Sequence, residues 1–407
     1  MNLKKHTLTN NITLIIIMII LSSFKSDKES AKKIYDRSIE NSEINMFYHD
    51  KLEQTGKMSQ FDKLEQNDKM DQNGKLEKNS KLGKTDKLMQ IAGSAGIPAL
   101  EIAFQSEDSL LCHPNEGRVF QAASLSKPLF AYIVLKMAER GEIDLDLPIH
   151  FYTQISRVDN MEWAEMLTAR SILSHKSGLQ NWATSPSSDE WPLSVAKFRF
   201  RPDSAFSYSG EGYYLLQQAV EKIKGKPLDE IAREEVFIPL NMINSSYEWM
   251  ERYDSIALEG FNRKGENRGK GRHPRANSAY TLRTTASDYS KFLSALINGS
   301  LLSPQTLKTM LTPDVKAFRY SDRIRDCDNY IFWGLGLGVE RNSEFGEVFF
   351  HWGDNGNFKA LFVIIPSLKS HLVYFTNSEC GHDIIDDIVS LFFRNSEPLK
   401  LSAWINE

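Results

Sequence analysis

The spacing of apolar residues changes character near residue 89, and that change divides the chain. Ile12 to Leu21 is an almost unbroken apolar run behind Lys4, Lys5 and His6. From Lys51-Leu52 to Lys87-Leu88 a Lys-Leu or Lys-Met pair recurs every six residues, separated mostly by Glu, Gln, Asn, Asp, Gly and Ser. On an α-helix six residues advance about 240° beyond a full turn, so the Leu/Met positions spiral and form no stripe. On a strand they share a face, but only one position in six is apolar. Neither arrangement buries much surface, and the pattern predicts a disordered, mixed-charge spacer over 27–88. A hexapeptide β-helix is the structured alternative, with too few apolar positions to fill its core.

Beyond residue 88 shorter periods take over. Pro98 to Gln105 and Ser109 to Cys112 read as strands. Phe130, Ile133, Val134 and Met137 have helical spacing within Pro128 to Arg140, which Gly141 closes. Gly212 to Lys224 and Thr285 to Asn298 read as further helices. Val348 to Trp352, Lys359 to Ile365 and His371 to Phe375 read as strands, and a last helix runs from about Asp383 to Arg394. Strands at both ends and helices between predict an α+β fold: an antiparallel sheet formed by both chain ends, flanking helices, and a mostly helical subdomain. One domain is expected over 89–407.

The apolar run near the N-terminus is about half the length of a bilayer-spanning helix, and its basic flank fits a signal peptide over 1–26. An uncleaved anchor is the alternative, and membrane contact is then expected only through that segment. Both readings place the rest of the chain outside the cytoplasm, periplasmic or secreted. Composition then removes several function classes. With 41% apolar residues among 407, a sizeable core is available. A net charge of −4 gives no global attraction to nucleic acid, so no such partner is expected. The three cysteines, Cys112, Cys327 and Cys380, have no metal-ligand spacing, and no H-E-x-x-H occurs. Neither a metal nor a cofactor is implied.

Ser124-Leu125-Ser126-Lys127 opens the first helix of the domain. Residues three apart on a helix share a face, so the Lys127 ammonium can reach the Ser124 hydroxyl. A free serine is a poor nucleophile, and a lysine whose pKa is lowered by burial can serve as its base. The helix start supplies unpaired N–H groups that favour an oxyanion. Alone, S-x-x-K is a weak pattern, and an N-cap serine is the ordinary alternative. Ser22 to Lys25, Ser30 to Lys33 and Ser194 to Lys197 fit it too. What singles out Ser124 is the text that follows it: Leu173-Ser174-His175-Lys176-Ser177-Gly178-Leu179, then Tyr208-Ser209-Gly210, then His351-Trp352-Gly353.

In this order the motifs resemble the serine β-lactamase and penicillin-binding superfamily, especially its class C-like branch of β-lactamases, D-peptidases and esterases, over about Ile97 to Phe393. The resemblance implies an acyl-enzyme on Ser124, with Lys127 holding or taking its proton. Tyr208 matches the first residue of the family's Y-x-N motif; it is expected to act as a phenolate base, its pKa lowered by Lys127, and to protonate the leaving group. His351 stands where β-lactamases carry the lysine of K-T-G. The oxyanion hole is expected from the backbone N–H groups of Ser124 and Asp354, beside Gly353. His175 and Ser177 are assigned to bracing the site. Two departures shape the substrate. Gly210 replaces the asparagine that binds an acylamino group in relatives, and Trp352 replaces a small residue and adds an apolar wall. The basic, Gly-rich loop Arg263 to Arg275 reads as a solvated loop over the site, with attraction of anionic substrates as the alternative. The resulting expectation is an exported serine hydrolase acting on a small ester or peptide substrate, with cell-wall-like amides or a non-catalytic sensor role as alternatives.

Overall fold

The computed structural model describes residues 74–406 apart from 108, 115, 301, 320–322 and 395. The apolar run at Ile12–Leu21 and the hexads before residue 74 lie outside the described residues.

The centre is an antiparallel sheet in the order β2-β1-β10-β9-β8-β7-β6-β5. Its strands are β1 (Leu100–Gln105), β2 (Leu110–His113), β5 (Val315–Lys316), β6 (Ile331–Trp333), β7 (Gly338–Asn342), β8 (Gly346–Asp354), β9 (Lys359–Ile365) and β10 (Ser370–Thr376). A separate pair joins β3 (Phe120–Gln121) to β4 (Arg283–Thr284). The longer helices are α1 (Gly74–Ser94), α2 (Ser126–Glu139), α3 (Gly210–Lys224), α4 (Ala286–Asn298), α5 (Pro304–Leu311), α6 (Ile385–Phe392) and α7 (Lys400–Asn406). This is the α+β fold expected from the sequence, with β1 and β10 closing the sheet across the two ends of the domain.

Antiparallel sheets often leave one face to water. Here both are covered, and every residue of β9 and β10 is buried. The pleat sends alternate side chains to opposite layers. Ala360, Phe362 and Ile364 pack with α2 and α4 in the larger core, whereas Leu361, Val363 and Ile365 pack with the C-terminal helices. The same alternation on β8 points His351 toward the α2 layer and Trp352 toward the other.

The hexad segment requires a correction. Its last units lie in helix α1, and Leu88 is buried against the second core. Ala92 and Ala95 continue that contact at helical spacing, and the Lys84 ammonium lies 5.0 Å from the centre of the Phe392 ring. The apolar face that the hexad lacks is supplied by the residues after it, so packing extends N-terminal of residue 89. Strands β5 to β7 also went unread. They are short, and Glu340 in β7 is fully buried, which breaks the apolar signature; its carboxylate accepts the Leu401 N–H at 2.8 Å and fastens α7 to the sheet.

A second buried acid sets a pH dependence. Glu101 on β1 is 2% exposed, accepts backbone N–H groups of Ala286 and Ser287 at the start of α4, and has one carboxylate oxygen without a partner. Burial, reinforced by Asp288 and Glu116, pushes its pKa up to about 8. Between the unfolded value near 4.5 and about 8 the folded state holds the extra proton, so this group's contribution to stability falls as pH rises through that window. Glu101→Gln should abolish the slope and leave the variant more stable than wild type above pH 8 by a few kcal/mol, on the order of 1.4 per pH unit crossed. Urea midpoints at pH 5 and pH 9 check this; a wild-type advantage at pH 9 would contradict it.

Candidate active site

The nucleophile turn precedes α2. Ala123 adopts φ 49°, a left-handed conformation that costs a non-glycine residue roughly 1–2 kcal/mol, and Ser124 follows it with its side chain half-exposed. Two features hold the turn. The Ser126 hydroxyl donates to the Ala123 carbonyl at 2.6 Å and accepts the Leu282 N–H at 3.0 Å. The hydroxyls of Tyr289 and Tyr247 donate to the carbonyls of Leu125 and Ser126, both at 2.8 Å. Strand β8 closes in from the other side. A Cβ on Gly353 would stand 2.4 Å from the Ala122 carbonyl oxygen, so only glycine lets the strand approach. The end of β8, with Asp354, thereby lies beside the nucleophile turn.

Lys127 is 1% exposed, and its Nζ lies 3.2 Å from Ser124 Oγ and 2.9 Å from the Ala279 carbonyl oxygen. Both partners are neutral. Burial holds its pKa well below that of a free lysine, which favours the neutral amine. A neutral amine can donate to Ala279 and still offer its lone pair to the Ser124 proton.

Tyr208 lies across this pair, with its ring centre 4.6 Å from Lys127 Nζ. Its hydroxyl is buried without a hydrogen bond of good geometry, although it faces Ser124. Burial raises its pKa far above that of an ordinary phenol, and the Ser124 hydroxyl offsets only part of the rise. Burial thus favours the phenol over the expected phenolate as the resting form of Tyr208.

His351 is fully buried, and its Nδ1–H donates to the Trp352 carbonyl at 2.7 Å. That contact fixes the tautomer, because a carbonyl only accepts, and leaves Nε2 as an unpartnered lone pair. Burial, then the nearby Lys127, hold its pKa well below the usual imidazole value. His175 stacks on Tyr208 with ring centres 4.2 Å apart, and its Nδ1 accepts the Ser209 N–H at 3.1 Å. Its residual Nε2–H is also buried and unpartnered. His175 and His351, each with an orphaned nitrogen, both pack on Tyr208, whose hydroxyl is likewise orphaned and whose ring lies over Lys127.

Trp352 is not the open wall expected of it. It is 4% exposed and packs between Tyr208, at 5.0 Å, and Trp404 of α7, at 5.3 Å between ring centres. It supports the tyrosine from behind. The space beside Gly210 is filled instead by Trp182: a Cβ on Gly210 would stand 2.2 Å from the indole. Sequence reasoning overlooked Trp182, the Ala279 carbonyl and the bracing role of Ser126. The missing side chain at 210 was the only local sign of Trp182, and a backbone acceptor such as Ala279 carries no sequence signal.

Three arginines of the basic loop are taken up in ion pairs. Arg263, Arg268 and Arg272 pair with Asp383, Glu266 and Asp254. A cavity of about 550 Å³ lined by Phe349, Ile364 and His371 lies under α4 and α5 and shares no lining residue with the Ser124 site.

A strained serine turn, a buried lysine three residues on, and a tyrosine at the start of a helix, set at the edge of a sheet covered on both faces, define the serine β-lactamase and penicillin-binding class. The chain belongs to the β-lactamase family, whose model, described as Beta-lactamase, matches residues 111–388. It is 28% identical over 150 residues to Esterase EstB of Burkholderia gladioli, covering 31% of this chain and 38% of that protein. It is 26% identical over 147 residues to the D-alanyl-D-alanine-carboxypeptidase/endopeptidase AmpH of Escherichia coli (strain K12), covering 33% and 38%. The matched stretches span half or less of the length of these curated relatives. Among solved structures, a class C β-lactamase in complex with cefoxitin superposes with a TM-score of 0.64 at 17% identity, covering 80% of this chain and 99% of that one.

Proposed function

We propose that the protein is an exported serine hydrolase that forms an acyl-enzyme at Ser124 and favours esters over acylamino amides. The observation that carries the hydrolase reading is the buried contact of Lys127 with Ser124 at 3.2 Å. In the acylation step Ser124 Oγ bonds to the substrate carbonyl carbon, and its proton passes to Lys127 Nζ. The electron pair of the carbonyl moves to oxygen, where the backbone N–H groups of Ser124 and Asp354 would receive it. When the carbon–oxygen bond to the leaving group breaks, Tyr208 gives its proton to the departing oxygen and is reprotonated from Lys127. Water then attacks the acyl-enzyme by the reverse relay, returning the proton to Ser124.

The ester preference rests on Gly210. Relatives with asparagine there hold an acylamino group; glycine offers no side chain, and a substrate amide left unpaired in a buried site costs roughly 1–3 kcal/mol. The similarity to EstB favours the same reading, whereas the similarity to AmpH keeps a D-peptidase acting on cell-wall-like amides as the second one. Export rests on the basic, then apolar N-terminal sequence. A panel of simple esters, D-alanyl amides and a chromogenic cephalosporin tests the reading together with fluorophosphonate labelling. Labelling at Ser124 with kcat/KM highest on esters is expected. Labelling with amides preferred would select the peptidase, and absence of both labelling and turnover would mean a non-catalytic protein. Fractionation of cells making the full chain tests export, which cytoplasmic recovery would refute.

A further inference from the structure

Trp182 occupies a position with no counterpart among the motif residues. Three atoms of its indole lie 2.2, 2.4 and 2.6 Å from where a Cβ on Gly210 would stand, so the ring rests flush on that backbone. The indole also meets the Tyr280 ring edge to face, with centres 5.6 Å apart. Gly210 follows Tyr208 by two residues, and Tyr280 follows the Ala279 carbonyl that receives Lys127. The indole therefore contacts both the segment that follows Tyr208 and the segment that follows the Ala279 carbonyl.

The bridge is built rigidly. The Gly210 N–H donates to both Asn181 oxygens, Oδ1 at 2.9 Å and the carbonyl at 3.1 Å, which pins the chain just before Trp182. Just after it, the Ala183 N–H donates to buried Glu211 at 3.0 Å, and the same carboxylate oxygen accepts Trp191 Nε1–H at 2.7 Å. Trp191 packs edge-on against Trp182 at 5.9 Å, and the Tyr280 hydroxyl donates to the Pro186 carbonyl at 3.0 Å. These contacts make the indole a fixed wall.

Resting on the hydrolase reading above, we infer that Trp182 is the residue that sets acyl specificity: it closes the acyl side of the Ser124 site and restricts the substrate to esters of short, unbranched acids. The space that a side chain at 210 would take is filled by the Trp182 indole. The same geometry forbids asparagine at 210 while Trp182 is present, because its Cβ would overlap the ring.

The test uses the full chain and p-nitrophenyl esters from acetate to octanoate, with one leaving group throughout. Wild type should lose kcat/KM steeply beyond butyrate, and Trp182→Ala should raise the octanoate-to-acetate ratio by about tenfold or more, the scale on which a few methylenes discriminate in an apolar pocket. Trp182→Phe should fall between. A purely structural tryptophan would lower all esters alike and leave the ratio unmoved. An unmoved ratio in a folded Trp182→Ala that still labels fully with fluorophosphonate would overturn this inference and leave the hydrolase reading standing. If Trp182→Ala does not fold, the ratio in Trp182→Phe decides. A wild-type protein that neither labels nor hydrolyses any ester removes the hydrolase reading, and this inference with it.

Discussion

Ser124→Ala should fold as wild type, take up no fluorophosphonate, and lose ester turnover by on the order of 10⁴-fold or more. The hydroxyl is the only atom removed, and Lys127 Nζ is its one hydrogen-bond partner of good geometry among the described residues. Ala123, which carries the strained φ, and Ser126, which braces the turn, are untouched, so the backbone that presents position 124 remains. The control is Ser194→Ala. Ser194 also begins an S-x-x-K sequence, but its hydroxyl donates to the Trp191 carbonyl at 2.7 Å and accepts from Arg157 at 3.1 Å. It terminates a short helical turn and faces no buried lysine, so Ser194→Ala should keep labelling and activity. Turnover by Ser124→Ala near the wild-type rate would remove Ser124 from the mechanism.

That Ser124 could be singled out from sequence as the candidate nucleophile reflects how local the expected chemistry is. A serine and lysine three apart at a helix start meet through helix geometry alone, and the later motifs select one such pair from several. The strands β9 and β10 were readable within a residue or so, because burial on both faces leaves unbroken apolar runs, Ala360 to Ile365 and Leu372 to Phe375, inside them. Contacts closed by distant segments were not readable. Trp352 becomes buried because Trp404, more than fifty residues later, packs on it. Gly210 is required because Trp182 arrives from an earlier loop. Leu88 completes a helix only once Ala92 and the second core are in place.

Protonation states depend on the same long-range closure. The sequence placed a lysine near a tyrosine, and a charged lysine would have lowered the tyrosine pKa. Enclosure of both groups opposes that effect: burial drives each toward its neutral form. In the proposed mechanism the proton relay therefore starts from Lys127, with Tyr208 as its intermediary.

The most informative variants of that relay are therefore Lys127→Met and Lys127→Arg. Methionine matches the lysine stem in length but has no basic nitrogen, while arginine keeps the charge and cannot be deprotonated in the working pH range. Both should lower kcat by about 10²–10⁴-fold, the usual range for a lost general base. Stability separates them. In wild type the folded pKa of Lys127 lies well below its unfolded value near 10.5, so between those values the unfolded state holds more protons and this group's contribution to stability rises with pH. Lys127→Met removes that dependence and, apart from an unpaired Ala279 carbonyl costing roughly 1–3 kcal/mol, the burial of the amine. Measured by urea midpoints, its stability relative to wild type should be greatest at acid pH and decline steadily as pH approaches 10.5. Lys127→Arg, a permanent charge in the same enclosure, should be the least stable at every pH. A gap between Lys127→Met and wild type that stays constant with pH would mean that Lys127 titrates as a free lysine, and a charged lysine at 3.2 Å from Ser124 could not be the base that takes its proton.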